Sequence, residues 1–126
     1  MSFLLRTGID LLEIQRLQGL NPAIRERFLR RVFTQLELEL CHNSDASLAG
    51  RFAAKEAVAK ALGSGIGAIG WQAIEIGRGS NGEPELHLHG PAAELANTLG
   101  LTQWAISITH SHSHAAAVAV AIGDAP

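Results

Sequence analysis

Lysine is almost missing from this chain. Of the ten Lys and Arg residues only Lys55 and Lys60 are lysines, and both lie in one stretch, "RFAAKEAVAKALGSGIG", residues 51–67. Cysteine is nearly absent too: the lone Cys41 excludes an internal disulfide and suits a reducing compartment. No apolar run approaches the roughly 20 residues that a membrane helix needs. Arg6 and Asp10 interrupt the N-terminal segment where a secretory signal would stay apolar. A cytoplasmic protein with no membrane attachment is expected. The chain also lacks a basic excess, and a net charge of −2 argues against a general nucleic-acid binder. What is present is 126 residues, 47% apolar and 17% charged. That is enough for one domain with a real core, spanning 1–126, and too little for two.

Nothing reads as a linker or an internal repeat. "FLLRTGI" suits a short strand ending at Asp10, which would open a helix over "DLLEIQRL" with Glu13 completing a capping box. Pro22 can begin a second helix to about Phe33, with Ile24, Phe28, Leu29, Val32 and Phe33 on one apolar arc. Thr34 and Glu37 form a second capping-box pattern, and a long helix is expected from about Ser47 to Leu62, stopped by Gly63. The rhythm then changes to "WQAIEIGRG", a turn at "SNGEP" and a returning "ELHLH", the pattern of a hairpin. "GPAAELANTLG" is bounded as a helix, and "WAISIT" and "AAAVAVAI" are strands around a "HSHSH" turn. The last strand is apolar on both faces, so it should be buried on both. Few helices remain to cover so much sheet, which points to a subunit interface. The class is α+β, an antiparallel sheet packed with a long helix.

On that long helix Ala53, Ala54, Ala57, Val58 and Ala61 share one side, while Arg51, Phe52, Lys55, Glu56 and Lys60 gather on the other. The plain reading is a solvated charged face with a Glu56–Lys60 pair at i, i+4. Phe52 in the middle of that face gains nothing from water, however, and "GSGIG" follows directly. Gly63 and Gly65 let backbone amides come close to a phosphate. No GK[ST] follows the glycines and they come after the helix, which excludes a Walker loop. Cations, a carboxylate and a glycine-rich turn are what a metal-bound polyphosphate requires, and magnesium takes carboxylate and phosphate oxygens. A second carboxylate is then needed, and Asp10 is the best candidate, alongside its alternative role as a helix N-cap.

Together "GIDLLEIQRL", "RFLRRVF", "RFAAKEAVAKALGSGIG", "NGEP" and "AISITHSHSHAAAVAVA" resemble the bacterial holo-acyl-carrier-protein synthase family of 4′-phosphopantetheinyl transferases, in the family's order and over most of the chain. The resemblance implies transfer of phosphopantetheine from coenzyme A, the co-substrate, to a serine of apo acyl carrier protein, in support of fatty acid biosynthesis. By the family's pattern Asp10 and Glu56 hold Mg2+ on the pyrophosphate and Lys60 neutralises the same phosphates. Arg51 and His110 contact phosphates of the nucleotide end, and Arg16, Arg27 and Arg31 dock the acidic carrier with Phe28 as an apolar contact. The family's homotrimers, with active sites between subunits, would account for the two-sided strand.

Some features fall outside that pattern. His110, His112 and His114 alternate, so an extended segment would point all three to one side, as a zinc site requires. The resemblance accounts for His110 alone. Many relatives carry a lysine or arginine where this chain has His112 and Ser113, and often an aspartate where it has Ala73. His87 and His89 read as an exposed strand face, Cys41 as a half-buried helix residue, and Trp71 and Trp104 as core or interface. Two other readings stand beside the transferase: a non-catalytic coenzyme A or nucleotide-binding module, and a histidine-based metal-binding oligomer.

Overall fold

A computed structural model describes residues 2–126. Three long strands form its main sheet. β1 (Phe3–Glu13), β4 (Leu101–His110) and β5 (His114–Asp124) run antiparallel in the order β1-β5-β4. A separate hairpin pairs β2 (Ile74–Arg78) with β3 (Pro84–Leu88). Among the described residues six α-helices complete the α+β fold: α1 (Gln15–Gln18), α2 (Pro22–Val32), α3 (Gln35–Cys41), α4 (Asp45–Leu62), α5 (Ile66–Ile69) and α6 (Gly90–Leu99).

The local punctuation explains most boundaries. Asn21 caps α2, with Pro22 at its first position, and Ser44 caps α4 by accepting from the Ser47 amide. Thr34 and Glu37 close a reciprocal capping box on α3. Gly63 and Gly100 end α4 and α6 in the left-handed conformation.

The first expected helix does not form at Asp10. β1 continues to Glu13 because each of its residues has a partner on β5, from Phe3↔Asp124 to Glu13↔His114, and the helix is reduced to Gln15–Gln18. Non-local pairing over that length outweighs a capping preference that acts only between neighbours. Asp10 therefore sits within a strand and caps nothing. The hairpin also begins later than its composition suggests, because Trp71–Ala73 form a 3₁₀ turn before β2.

α4 crosses the inner face of the sheet at close range. A β-carbon at Gly8 of β1 would lie 1.8 Å from the Ala57 carbonyl oxygen, and one at Gly50 would lie 2.8 Å from the Ile108 side chain on β4. The alanine side of the helix meets the alanine face of β5, where Ala115, Ala117, Ala119 and Ala121 are buried, so small residues on both surfaces set the approach. A second core gathers Leu12, Leu17, Phe33, Cys41 and Leu48 beneath α1 to α3. The outer face of the sheet is uncovered: Leu5, Ile9 and Leu11 of β1 are 65–67% exposed beside Val118, Val120 and Ile122 of β5.

Candidate active site

Alternation along β1 turns Arg6, Gly8, Asp10 and Leu12 toward α4. Asp10 there meets Glu56 and Lys60, one helical turn apart on α4. Lys60 Nζ lies 3.4 Å from Asp10 Oδ1 and donates to the Ile9 carbonyl at 2.9 Å. The lysine thus turns to Asp10, in place of the expected i, i+4 pair with Glu56. Burial pushes the Glu56 carboxyl above its usual range, the neighbouring Asp10 charge pushes it further, and Lys60 offsets part of the effect. Two carboxylates share one ammonium, so the group as it stands wants additional positive charge. A donor set of hard carboxylate oxygens suits magnesium, which takes one or two carboxylates and completes its shell with phosphate and water.

The other residues of the "charged side" have different fates. Arg51 and Lys55 are buried, contrary to the expected solvated face. Lys55 has no exposure at all: its Nζ lies 2.7 Å from Glu37 Oε1 and donates to the carbonyls of Trp71 and Ile74. Desolvation holds its ammonium below the usual lysine range, against the pull of Glu37. The i, i+4 spacing of Arg51 and Lys55 was visible in the sequence, but not the covering of that side by α3 and β2. Phe52 is explained by its neighbours, with ring centroids 4.9 Å from Trp71 and 5.8 Å from Phe28.

Arg51 donates through Nε to the Ile76 carbonyl at 3.0 Å and lines a cavity of about 200 Å³ with Arg78, Gly82, Pro84, Ile108 and His110. The cavity brings together the two residues expected at the nucleotide end, Arg51 and His110, and adds Arg78. Nothing in the spacing marked Arg78, because it sits on a hairpin whose packing against α4 is a tertiary event. Three basic groups around one small cavity can hold a phosphate. Gly63, by contrast, has no free amide, because its N–H closes α4 on the Ala59 and Lys60 carbonyls. Around Gly65 a side chain would meet open space, and its φ is 71°.

A second, mainly apolar cavity of about 240 Å³ is lined by Leu12, Arg16, Leu17, Leu20, Phe28 and Phe52. Arg16 is exposed at its edge, and Arg27 and Arg31 are exposed on α2, which also bears Phe28; none of the three has an ion-pair partner among the described residues, whereas Arg25 pairs with Asp45 and Arg30 with Glu26. The histidines are not arranged as a set. A two-residue turn at His112 and Ser113 places His110 opposite Ala115 on the inner face, while His114 lies opposite Glu13 on the outer one. Among the described residues no group of three or more His, Cys, Asp or Glu side chains is placed to hold a metal ion. His87 pairs with Glu85 and His89 with Glu75. Cys41 is fully buried, and desolvation raises its thiol above the usual range, the reverse of what a nucleophile needs.

The sequence model of the 4′-phosphopantetheinyl transferase superfamily matches residues 6–119. Similar proteins include the holo-[acyl-carrier-protein] synthase of Herpetosiphon aurantiacus, 45% identical over 85% of this chain and 90% of that protein. That of Moorella thermoacetica is 48% identical over 85% of each chain. Among solved structures, the holo-[acyl-carrier-protein] synthase of Helicobacter pylori in complex with coenzyme A superimposes with a TM-score of 0.83 at 32% identity, covering 91% of this chain and 98% of that one.

Proposed function

The chain belongs to the 4′-phosphopantetheinyl transferase superfamily, and from that membership we propose that it transfers 4′-phosphopantetheine from coenzyme A to a serine of apo acyl carrier protein, releasing adenosine 3′,5′-bisphosphate. Residues 1–126 act as one transferase domain, in the cytoplasm, in the service of fatty acid biosynthesis. The observation that carries the reading is the Asp10–Glu56–Lys60 group, in which two carboxylates from separate elements converge beside a single ammonium.

Asp10 and Glu56 are the residues that would hold magnesium. When bound, the ion supplies charge neutralisation on the pyrophosphate and polarises the bond to the leaving nucleotide. Lys60, half-exposed beside Asp10, adds a positive charge at the same phosphates. Arg51, Arg78 and His110 grip the phosphate at the nucleotide end, and Gly65 leaves room for the ligand beside α4. Arg16, Arg27 and Arg31 attract the acidic carrier, whose apolar side chains enter the cavity floored by Phe28 and Phe52. Positioning and charge stabilisation of this kind account for most of catalysis in phosphoryl transfer.

The two halves of the site belong to different subunits of a homotrimer. In one chain Asp10 and His110 lie on the two outer strands of the main sheet, with β5 between them. Glu56 and Arg51 are five residues apart on α4, about 140° around its axis. The carboxylates and the cationic cavity therefore open on different sides of the helix, and one coenzyme A reaches both by bridging two copies.

Release of adenosine 3′,5′-bisphosphate, measured chromatographically with saturating carrier and magnesium, tests the assignment. Asp10→Asn and Glu56→Gln should each lower the rate at least about 100-fold while the far-ultraviolet circular dichroism is unchanged. Either variant retaining full rate would remove the carboxylate pair from the site.

A further inference from the structure

Glu37 and Lys55 have zero exposure, and nothing in the reading above uses them. Their hydrogen bonds converge on the free edge of one strand. Among the described residues β2 has a strand neighbour, β3, on one side only. On its other edge Lys55 takes the Ile74 carbonyl at 2.5 Å, Glu37 Oε2 takes the Ile76 amide at 2.7 Å, and Arg51 takes the Ile76 carbonyl at 3.0 Å. Side chains thus stand where a third strand's backbone would. The remaining bonds tie this edge to its surroundings: Glu37 Oε1 accepts from the Thr34 amide at 2.9 Å, and Lys55 donates to the Trp71 carbonyl at 3.0 Å.

We propose that the Glu37–Lys55 pair positions the phosphate cavity: it docks the free edge of β2 on α4, so that the hairpin carrying Arg78, Gly82 and Pro84 faces Arg51 and His110. This rests on the function proposed above. Lys55 acts through other residues, because with Glu37, Trp71 and Ile74 all three of its donors are occupied and none is left for a phosphate. Stability is a weak reason for such a pair, since apolar residues of similar volume commonly serve a buried site as well or better. Apolar residues, however, cannot hold an amide and two carbonyls at fixed distances, which charge-assisted hydrogen bonds do. The same pair fixes Trp71, and through it the stack with Phe52, but the direct connection is to Ile76, whose two polar groups are held by Glu37 and by the cavity's own Arg51.

The test is the double variant Glu37→Gln/Lys55→Met, which removes both charges together and so leaves neither buried alone. Coenzyme A binding by titration calorimetry should weaken about 10–100-fold and its KM should rise in parallel. The rate at saturating coenzyme A should stay within about threefold, because the Asp10–Glu56 group is untouched, and the KM for the carrier should change less than that for coenzyme A, because the pair reaches the carrier cavity only through Trp71 and Phe52. A folded double variant with unchanged coenzyme A affinity overturns the proposal. So does a uniform fall in every kinetic constant, or a failure to fold, since the pair would then serve the fold at large. A parent protein that binds no coenzyme A would instead defeat the functional reading beneath it.

Discussion

Glu56 sits where burial and the Asp10 carboxylate both make its charge costly, and only Lys60 offsets them. Its folded pKa is raised above the unfolded value, so the folded state holds its proton to higher pH than the unfolded chain does. Without metal, the contribution of Glu56 to stability is therefore lost as pH rises from the ordinary carboxylate range through the raised value. Glu56→Gln should abolish this dependence, and at neutral pH and without metal it should melt no lower than the parent while having lost transfer activity. A clear drop in its melting temperature would show that the carboxylate serves the fold. At this scale the sequence was legible where chemistry demanded a residue type: Asp10, Glu56 and Lys60 do converge. It was not legible for Lys55. Helical projection put both lysines on the polar side, and only the packing of α3 and β2 over the earlier one separates an interior ammonium from a solvent-facing one.

The elements show the same division. Caps and stops are local, and Asn21, Thr34, Glu37 and Gly63 all act where their types suggest. Asp10 and Glu13 had the local pattern of a helix start, but the ladder with β5 runs straight through them, and no rule confined to neighbouring residues contains that ladder. Gly8 is part of the same geometry, since any side chain there would strike the Ala57 carbonyl and lift α4 away from the strand that bears Asp10. On α2 the apolar arc proved partial, as Ile24 is 48% exposed. Arg27 and Arg31, one turn apart and without ion-pair partners among the described residues, are the side chains through which this helix is proposed to meet the carrier. The Arg27→Glu/Arg31→Glu variant should raise the KM for carrier about 10-fold or more at low ionic strength, with the difference shrinking as salt approaches 1 M. An unchanged KM at low salt would place the docking surface elsewhere.

In the whole molecule the outer sheet face is the unfinished part. Phe3 is 84% exposed, and Leu5, Ile9 and Leu11 continue an apolar stripe that β5 extends with Val118, Val120 and Ile122. A strand apolar on both faces was legible as a demand for two covers; the structure supplies one, α4 over the alanines, and the proposed homotrimer would supply the other. Sedimentation should give a trimer for the parent and a monomer for Leu5→Glu/Ile9→Glu, with transfer lost together with assembly. A fully active monomer would contradict a site shared between subunits. The most direct measurement is the intact mass of apo acyl carrier protein after incubation with this protein, coenzyme A and magnesium, beside a sample in which a chelator replaces the metal. The account requires a phosphopantetheine-sized increase that disappears with the chelator. An unmodified carrier, while coenzyme A still binds, would make this chain a binding module and contradict the transferase reading.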